Sequence, residues 1–123
     1  MARPWKQKFA DAFRGMREGI RGQSSFVVHF FIALAVLAAA AMLHMGAAEW
    51  GLLLVCITVV LAAEMFNSAL EATARAIGSE RSPHLRDALD MASAAVLIAA
   101  IGSLAVGLAV FGGRIVSMIR WAA

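Results

Sequence analysis

The chain has 123 residues, of which 62% are hydrophobic and only 15% charged, whereas an ordinary soluble domain has about 45–50% apolar and about 25% charged residues. With a mean hydropathy of +0.79 this composition describes a membrane protein, and at about 20 residues per helical crossing it excludes a separate soluble catalytic domain. The formal charge of +3 does not indicate nucleic acid, because six of the eleven Lys and Arg residues lie in the first 21 positions, beside a membrane segment.

The first predicted element is an amphipathic helix over about 5–22. Trp5, Phe9, Ala12, Phe13, Met16 and Ile20 recur at helical spacing, while Lys6, Lys8, Arg14, Arg17 and Arg21 lie largely elsewhere around the wheel. That pattern suits a helix in the membrane interface. A cleaved signal peptide is the competing reading; the apolar run that follows is about 20 residues long with no clear small-residue cleavage site, which favours an uncleaved segment. The first span is expected over about 26–45, with His29 near its start and His44 near its end. A short turn at 46–49 leads to Trp50, which suits the aromatic belt, and the second span is expected over about 50–74. Gly78, Ser82 and Pro83 are turn signals in a polar connection. A third span over about 88–110 follows, with Gly112-Gly113 as its expected end and a short basic tail beyond. The whole chain, 1–123, reads as a single all-α membrane domain. The Lys/Arg bias places the N-terminus and the 75–87 connection on the cytoplasmic side. Cys56, the only cysteine, lies in an apolar run and reads as a packing residue.

Glu64 and Glu71 interrupt the second span, where a carboxylate at membrane depth costs about 2.5–3.5 kcal/mol on insertion scales. Asn67 and Ser68 fall three and four residues after Glu64, so Glu64, Asn67, Ser68 and Glu71 share one helix face. Asp90 adds a carboxylate at the start of the third span, level with Glu71 across the connection. Polar residues also bond membrane helices together, but two glutamates and an asparagine on one face, opposite an aspartate, point to a site. Carboxylates at a membrane surface suit Mg²⁺, which takes one or two carboxylates plus substrate phosphates. The deeper Glu64, less hydrated, suits a general base toward a hydroxyl arriving from the lipid. No P-loop pattern is present, and the histidines do not form a metal cluster, since His29 and His44 lie at opposite ends of one span and His84 lies in a loop. His29 is the strongest of the three as a ligand contact. The Ala/Gly-rich third span favours close helix packing and oligomerisation.

The stretch Glu64-Met-Phe-Asn-Ser-Ala-Leu-Glu71, followed by Ile77-Gly-Ser-Glu80 and Asp90-Met-Ala-Ser-Ala-Ala-Val-Leu-Ile98, resembles the small prokaryotic integral-membrane diacylglycerol kinases, a family that includes undecaprenol kinases. The resemblance implies a homotrimer of three-span protomers in the bacterial cytoplasmic membrane, with active sites shared between neighbours. The implied reaction transfers the γ-phosphoryl of ATP, with Mg²⁺, to a lipid hydroxyl. By position, Glu64 matches the catalytic base, Glu71 a metal-holding carboxylate and Asn67 a polar member of that site. Glu80 and Asp90 match nucleotide-contacting positions, and Arg17 and Ser93 match positions near the lipid. Gln23 stands where enterobacterial-type members carry a second metal-binding glutamate, and Leu89 where a lysine commonly precedes the aspartate; Arg86, a turn earlier, is a candidate replacement for that cation. The Gln23 to His29 pattern and Ala48-Glu49-Trp50 look more like undecaprenol kinases, whereas Ile77–Glu80 and the Met91 stretch look more like diacylglycerol kinases. Diacylglycerol is the expected acceptor and undecaprenol the alternative. A function of a different class, a small proton-coupled transporter, would use Glu64 as its titrating group, and a structural subunit would use these carboxylates for assembly alone.

Overall fold

A computed structural model describes residues 2–21, 23–78 and 82–123. It consists of four helices, α1 (Trp5–Ile20), α2 (Ser24–Met42), α3 (Ala47–Ile77) and α4 (Pro83–Ala122), and no strand occurs among the described residues. The last three helices are long and apolar enough to cross a bilayer, so the protein is an all-α, three-span membrane protein. Helix α3 is central and touches each of the other three.

Helix α1 forms where the apolar spacing places it, and its Trp5, Phe9, Phe13 and Met16 side chains lie open on the single protomer. Lys8 sits over the Trp5 ring, 4.6 Å from its centroid. The helix docks on α3 at Gly19, where a Cβ would collide with the Met65 side chain. Gly22, which falls in the expected 5–22 helix, lies outside the described residues.

Helix α2 stops at Met42, three residues before the expected end of the first span, and the stop has a specific cause. His44 takes the left-handed conformation (φ 51°), its N–H bonds to the Ala41 carbonyl and the Met45 N–H to the Ala40 carbonyl. This is a Schellman motif with histidine where glycine is usual. Its accompanying apolar contact is present too, since Ala40 and Met45 pack with Leu53 at the core of this end, flanked by Trp50 and Phe111. Helix α3 begins directly after, its first turn held by the Gly46 N–H donating to Glu49 Oε2 at 2.6 Å.

At the other end α3 runs to Ile77 and is closed by Gly78 in the left-handed region (φ 69°), as the turn signal predicts. Helix α4 starts with Pro83 at its first position, where no intrahelical N–H is needed. The sequence-expected stop at Gly112-Gly113 is not used: α4 continues through both glycines to Ala122. The physical reason is Arg114, whose Nε donates to Leu43 O and whose Nη2 donates to His44 O, both at 2.9 Å. These bonds satisfy carbonyls left open at the end of α2 and tie α4 down just past the glycines. Ile115, Val116 and Ile119 then extend the apolar sequence. Ser103 Oγ, donating to the Cys56 carbonyl at 3.3 Å, fastens α4 to α3 at mid-height. Cys56 is half-buried in this packing, in keeping with its expected role.

Candidate functional site

Counting about 20 residues of helix from Trp50 brings α3 out of the hydrocarbon near Leu70. Glu64 therefore lies inside the membrane boundary and Glu71 at or beyond it, about 10 Å further along the axis. The buried face of this half of α3 consists of Glu64, Asn67, Ser68 and Ala74, with Glu71 half-buried, the face that the spacing predicts. Glu64 is only 2% exposed.

Burial of that carboxylate is matched by donors from α2. Ser25 Oγ donates to Glu64 Oε2 at 3.1 Å, and His29 Nδ1 lies 2.8 Å from Glu64 Oε1. Seven residues later, Glu71 receives Gln23 Nε2 at 2.8 Å on one oxygen and Asn67 Nδ2 at 2.9 Å on the other. The polar face of α3 thus has two compartments: a deep one around Glu64, and a shallow one around Glu71 that brings Gln23 to it across 48 positions of sequence. Of the residues singled out from the sequence, Glu64, Asn67, Glu71, Gln23 and His29 converge here.

The shallow compartment opens into a cleft of about 1140 Å³ between the ends of α3 and α4, lined by Glu71, Arg75, Arg86, Asp87, Leu89 and Asp90 among others. Asp90 is thereby on the same cleft as Glu71, as expected, and Arg86 lines that cleft together with Leu89. Arg75, which the sequence reading did not single out, contributes a second guanidinium, 3.8 Å from Glu71. Glu80 lies outside the described residues. Arg17 and Ser93 are exposed, and neither joins the hydrogen bonds of the Glu64–Glu71 cluster among the described residues. Ser25 was also missed; the available signal was its i, i+4 spacing from His29, two polar groups on one face of an otherwise apolar helix.

A divalent cation fits the shallow compartment by its donor chemistry. Asn67 Oδ1 is buried with no hydrogen-bond partner among the described residues, beside the Glu71 carboxylate, and a rotation of the Gln23 amide would present its own oxygen. No three His, Cys, Asp or Glu side chains converge as a metal cage among the described residues. A hard oxygen set this small suits Mg²⁺, which is commonly shared with substrate phosphates.

Beside the deep compartment, α2, α3 and α4 enclose an apolar cavity of about 460 Å³, walled by Ala33, Val36, Leu53, Ile57, Leu104 and Phe111 and reached by His29 at its polar end. The arrangement is a buried carboxylate bonded to His29, which lines an apolar cavity, with a charged cleft about two helical turns away at Glu71.

Residues 10–111 match the family model described as prokaryotic diacylglycerol kinase. The chain belongs to this family. It is 30% identical over 105 residues to the undecaprenol kinase of Bacillus subtilis (strain 168), covering 85% of each chain. It is 33% identical over 100 residues to a diacylglycerol kinase of Synechocystis, covering 80% of this chain and 57% of that one. A diacylglycerol kinase of Pseudomonas aeruginosa is 31% identical over 85 residues, 69% of both. The protein is therefore a membrane-embedded member of a lipid-kinase family, and the two compartments lie within the matched residues.

Proposed function

We propose that the protein transfers the γ-phosphoryl group of Mg-ATP to the hydroxyl of diacylglycerol, giving phosphatidate and ADP. The observation that carries this reading is the pairing on one helix of a buried carboxylate, Glu64, with a carboxylate, Glu71, that lines an open cleft carrying both guanidinium and carboxylate groups. The lipid hydroxyl enters beside Glu64, which takes its proton as the oxygen attacks the γ-phosphorus and the bond to ADP breaks. Arg75 and Arg86 bind the phosphates from the cleft, and Asp90 lies at its rim, with Glu80 a further candidate contact to the nucleotide. Glu71, with the amide oxygens of Asn67 and Gln23, would hold Mg²⁺, which when bound would offset phosphate charge during transfer. Arg17 and Ser93 are candidate contacts to the lipid from outside this cluster, which is consistent with a homotrimer whose sites are completed by a neighbour. The N-terminus and the cleft would face the cytoplasm of a bacterial inner membrane, where ATP is supplied.

Undecaprenol is the second acceptor to consider. The relative that shares 85% coverage in both directions is an undecaprenol kinase, and Gln23 and His29, which mark the likeness to that branch, both reach the site. Purified protein in lipid nanodiscs, given labelled ATP, Mg²⁺ and each lipid alcohol separately, should make labelled phosphatidate at the higher kcat/KM. A higher kcat/KM for undecaprenol would reassign the acceptor. No transfer to either, or to any lipid alcohol, would overturn the kinase reading.

A further inference from the structure

We propose that His29 is a positioning residue for this reaction, whose Nδ1–H, together with the Ser25 hydroxyl, fixes the Glu64 carboxylate in the orientation that receives the lipid proton. The assignment rests on which groups surround the imidazole. Nδ1 is 2.8 Å from Glu64 Oε1 and 3.0 Å from the backbone carbonyl of Ser25. A carbonyl oxygen can only accept, so a lone pair on Nδ1 would face it in repulsion; the proton belongs on Nδ1, shared between the two oxygens. Ser25 Oγ supplies the second donor, to the other carboxylate oxygen, at 3.1 Å.

Both donors come from one turn of α2, at i and i+4, so a single rigid helix sets both ends of the carboxylate. Each carboxylate oxygen accepts two hydrogen bonds, which leaves one position on each for an incoming hydroxyl. The polar groups bonded to His29 are the Ser25 carbonyl on its own helix and Glu64 on α3; its ring also lines the apolar cavity, whose wall includes Ile32, Val60 and Ala100. Among the described residues that wall contains no Lys, Arg, Asp or Glu, so Glu64 is the one charged partner the imidazole meets there. A ring held at Nδ1 cannot swing into the cavity without releasing the carboxylate.

This inference rests on the kinase reading for its activity arm, and one arm is independent of it. His29→Ala should lower kcat about 10- to 100-fold, the scale seen when an orienting partner of a functional group is removed, with the KM for ATP unchanged. His29→Asn, whose amide nitrogen occupies the place of Nδ1, should restore most of the loss. His29→Gln, whose nitrogen occupies the place of Nε2, should not. Ser25→Ala should give a smaller fall, again in kcat. A kcat for His29→Ala within twofold of the parent would overturn the proposal. So would rescue by Gln in place of Asn, which would mean that Nε2 does the chemistry.

A merely structural role would move the KM for ATP and the folded yield equally in all three variants, and would also overturn it. Independently of any lipid, the ¹⁵N signals of His29 in the parent protein, assigned by their loss in His29→Asn, should show Nδ1 protonated. An unprotonated Nδ1 removes the donor and overturns the proposal even if the enzyme is active. A protonated Nδ1 in a protein that phosphorylates nothing would leave the hydrogen bond standing and the kinase reading refuted.

Discussion

Glu64 is tolerated at membrane depth only because α2 presents two donors to it, and its chemistry depends on having a carboxylate rather than an amide there. Glu64→Gln keeps the shape: its carbonyl oxygen can accept from His29 Nδ1–H while its NH₂ donates to the Ser25 hydroxyl, which can accept as well as donate, so the fold should survive. General bases contribute about 10²- to 10⁴-fold, and kcat should fall by that order while the KM for ATP holds, measured by phosphate transfer in nanodiscs. At Glu71 the expectation has a different sign. Gln23 Nε2 is 2.8 Å from its carboxylate, so Gln23→Glu places two carboxylates in contact. Without a divalent cation they repel, and the thermal midpoint in EDTA should drop. With Mg²⁺ the added anionic ligand should reduce the concentration needed for half-maximal activity about tenfold. A Mg²⁺ titration that is unchanged between the two forms would remove Gln23 from the metal site.

Among the elements, the α2–α3 corner is where local conformation and local sequence disagree. His44 occupies a left-handed position (φ 51°) that a β-carbon makes unfavourable by roughly 1 kcal/mol. It lies at the opposite end of α2 from Ser25 and His29. His44→Gly should therefore stabilise the protein by about 0.5–1 kcal/mol, read as a raised unfolding midpoint in detergent with kcat unchanged. A lowered midpoint would show that the imidazole makes contacts which offset its strain. The same corner shows what sequence can and cannot convey. Gly78 announces its turn because glycine is the residue that left-handed caps select; His44 gives no such signal, and the end of α2 was placed three residues late. Gly112-Gly113 gives the signal without the turn, because Arg114 holds α4 against the end of α2 from more than sixty residues away in sequence. The polar face of α3 was legible because Glu64, Asn67, Ser68 and Glu71 follow helical periodicity inside apolar sequence. Their partners were only partly so. Gln23 was singled out through its match to a metal-binding position, but a serine such as Ser25 is ordinary in a membrane helix, and pairing it with Glu64 requires the register of α2 on α3, which no local pattern records.

The whole molecule leaves more surface open than one protomer can use. Helix α4 buries none of its residues fully, the apolar stripe of α1 is uncovered, and Arg17 and Ser93 stand outside the bonded cluster. Some of the spanning surface meets lipid acyl chains, but a polar group such as Arg17 gains nothing from them, and in the proposed trimer it would serve the site of an adjacent subunit. Subunit mixing separates the two arrangements. Arg17→Ala and Glu64→Gln protomers, each expected to have little activity alone, are co-expressed in equal amounts and purified together. If Arg17 acts across the subunit boundary, about a quarter of the sites in a randomly mixed cyclic assembly receive an intact Glu64 from one chain and an intact Arg17 from its neighbour, and activity returns toward that fraction of the parent. If both residues serve a site within one chain, no mixed assembly contains an intact site and the activity stays at the level of the separate variants. The control pair, Glu64→Gln with Glu71→Gln, should not recover in either case, because the two residues share one helix and one bonded face.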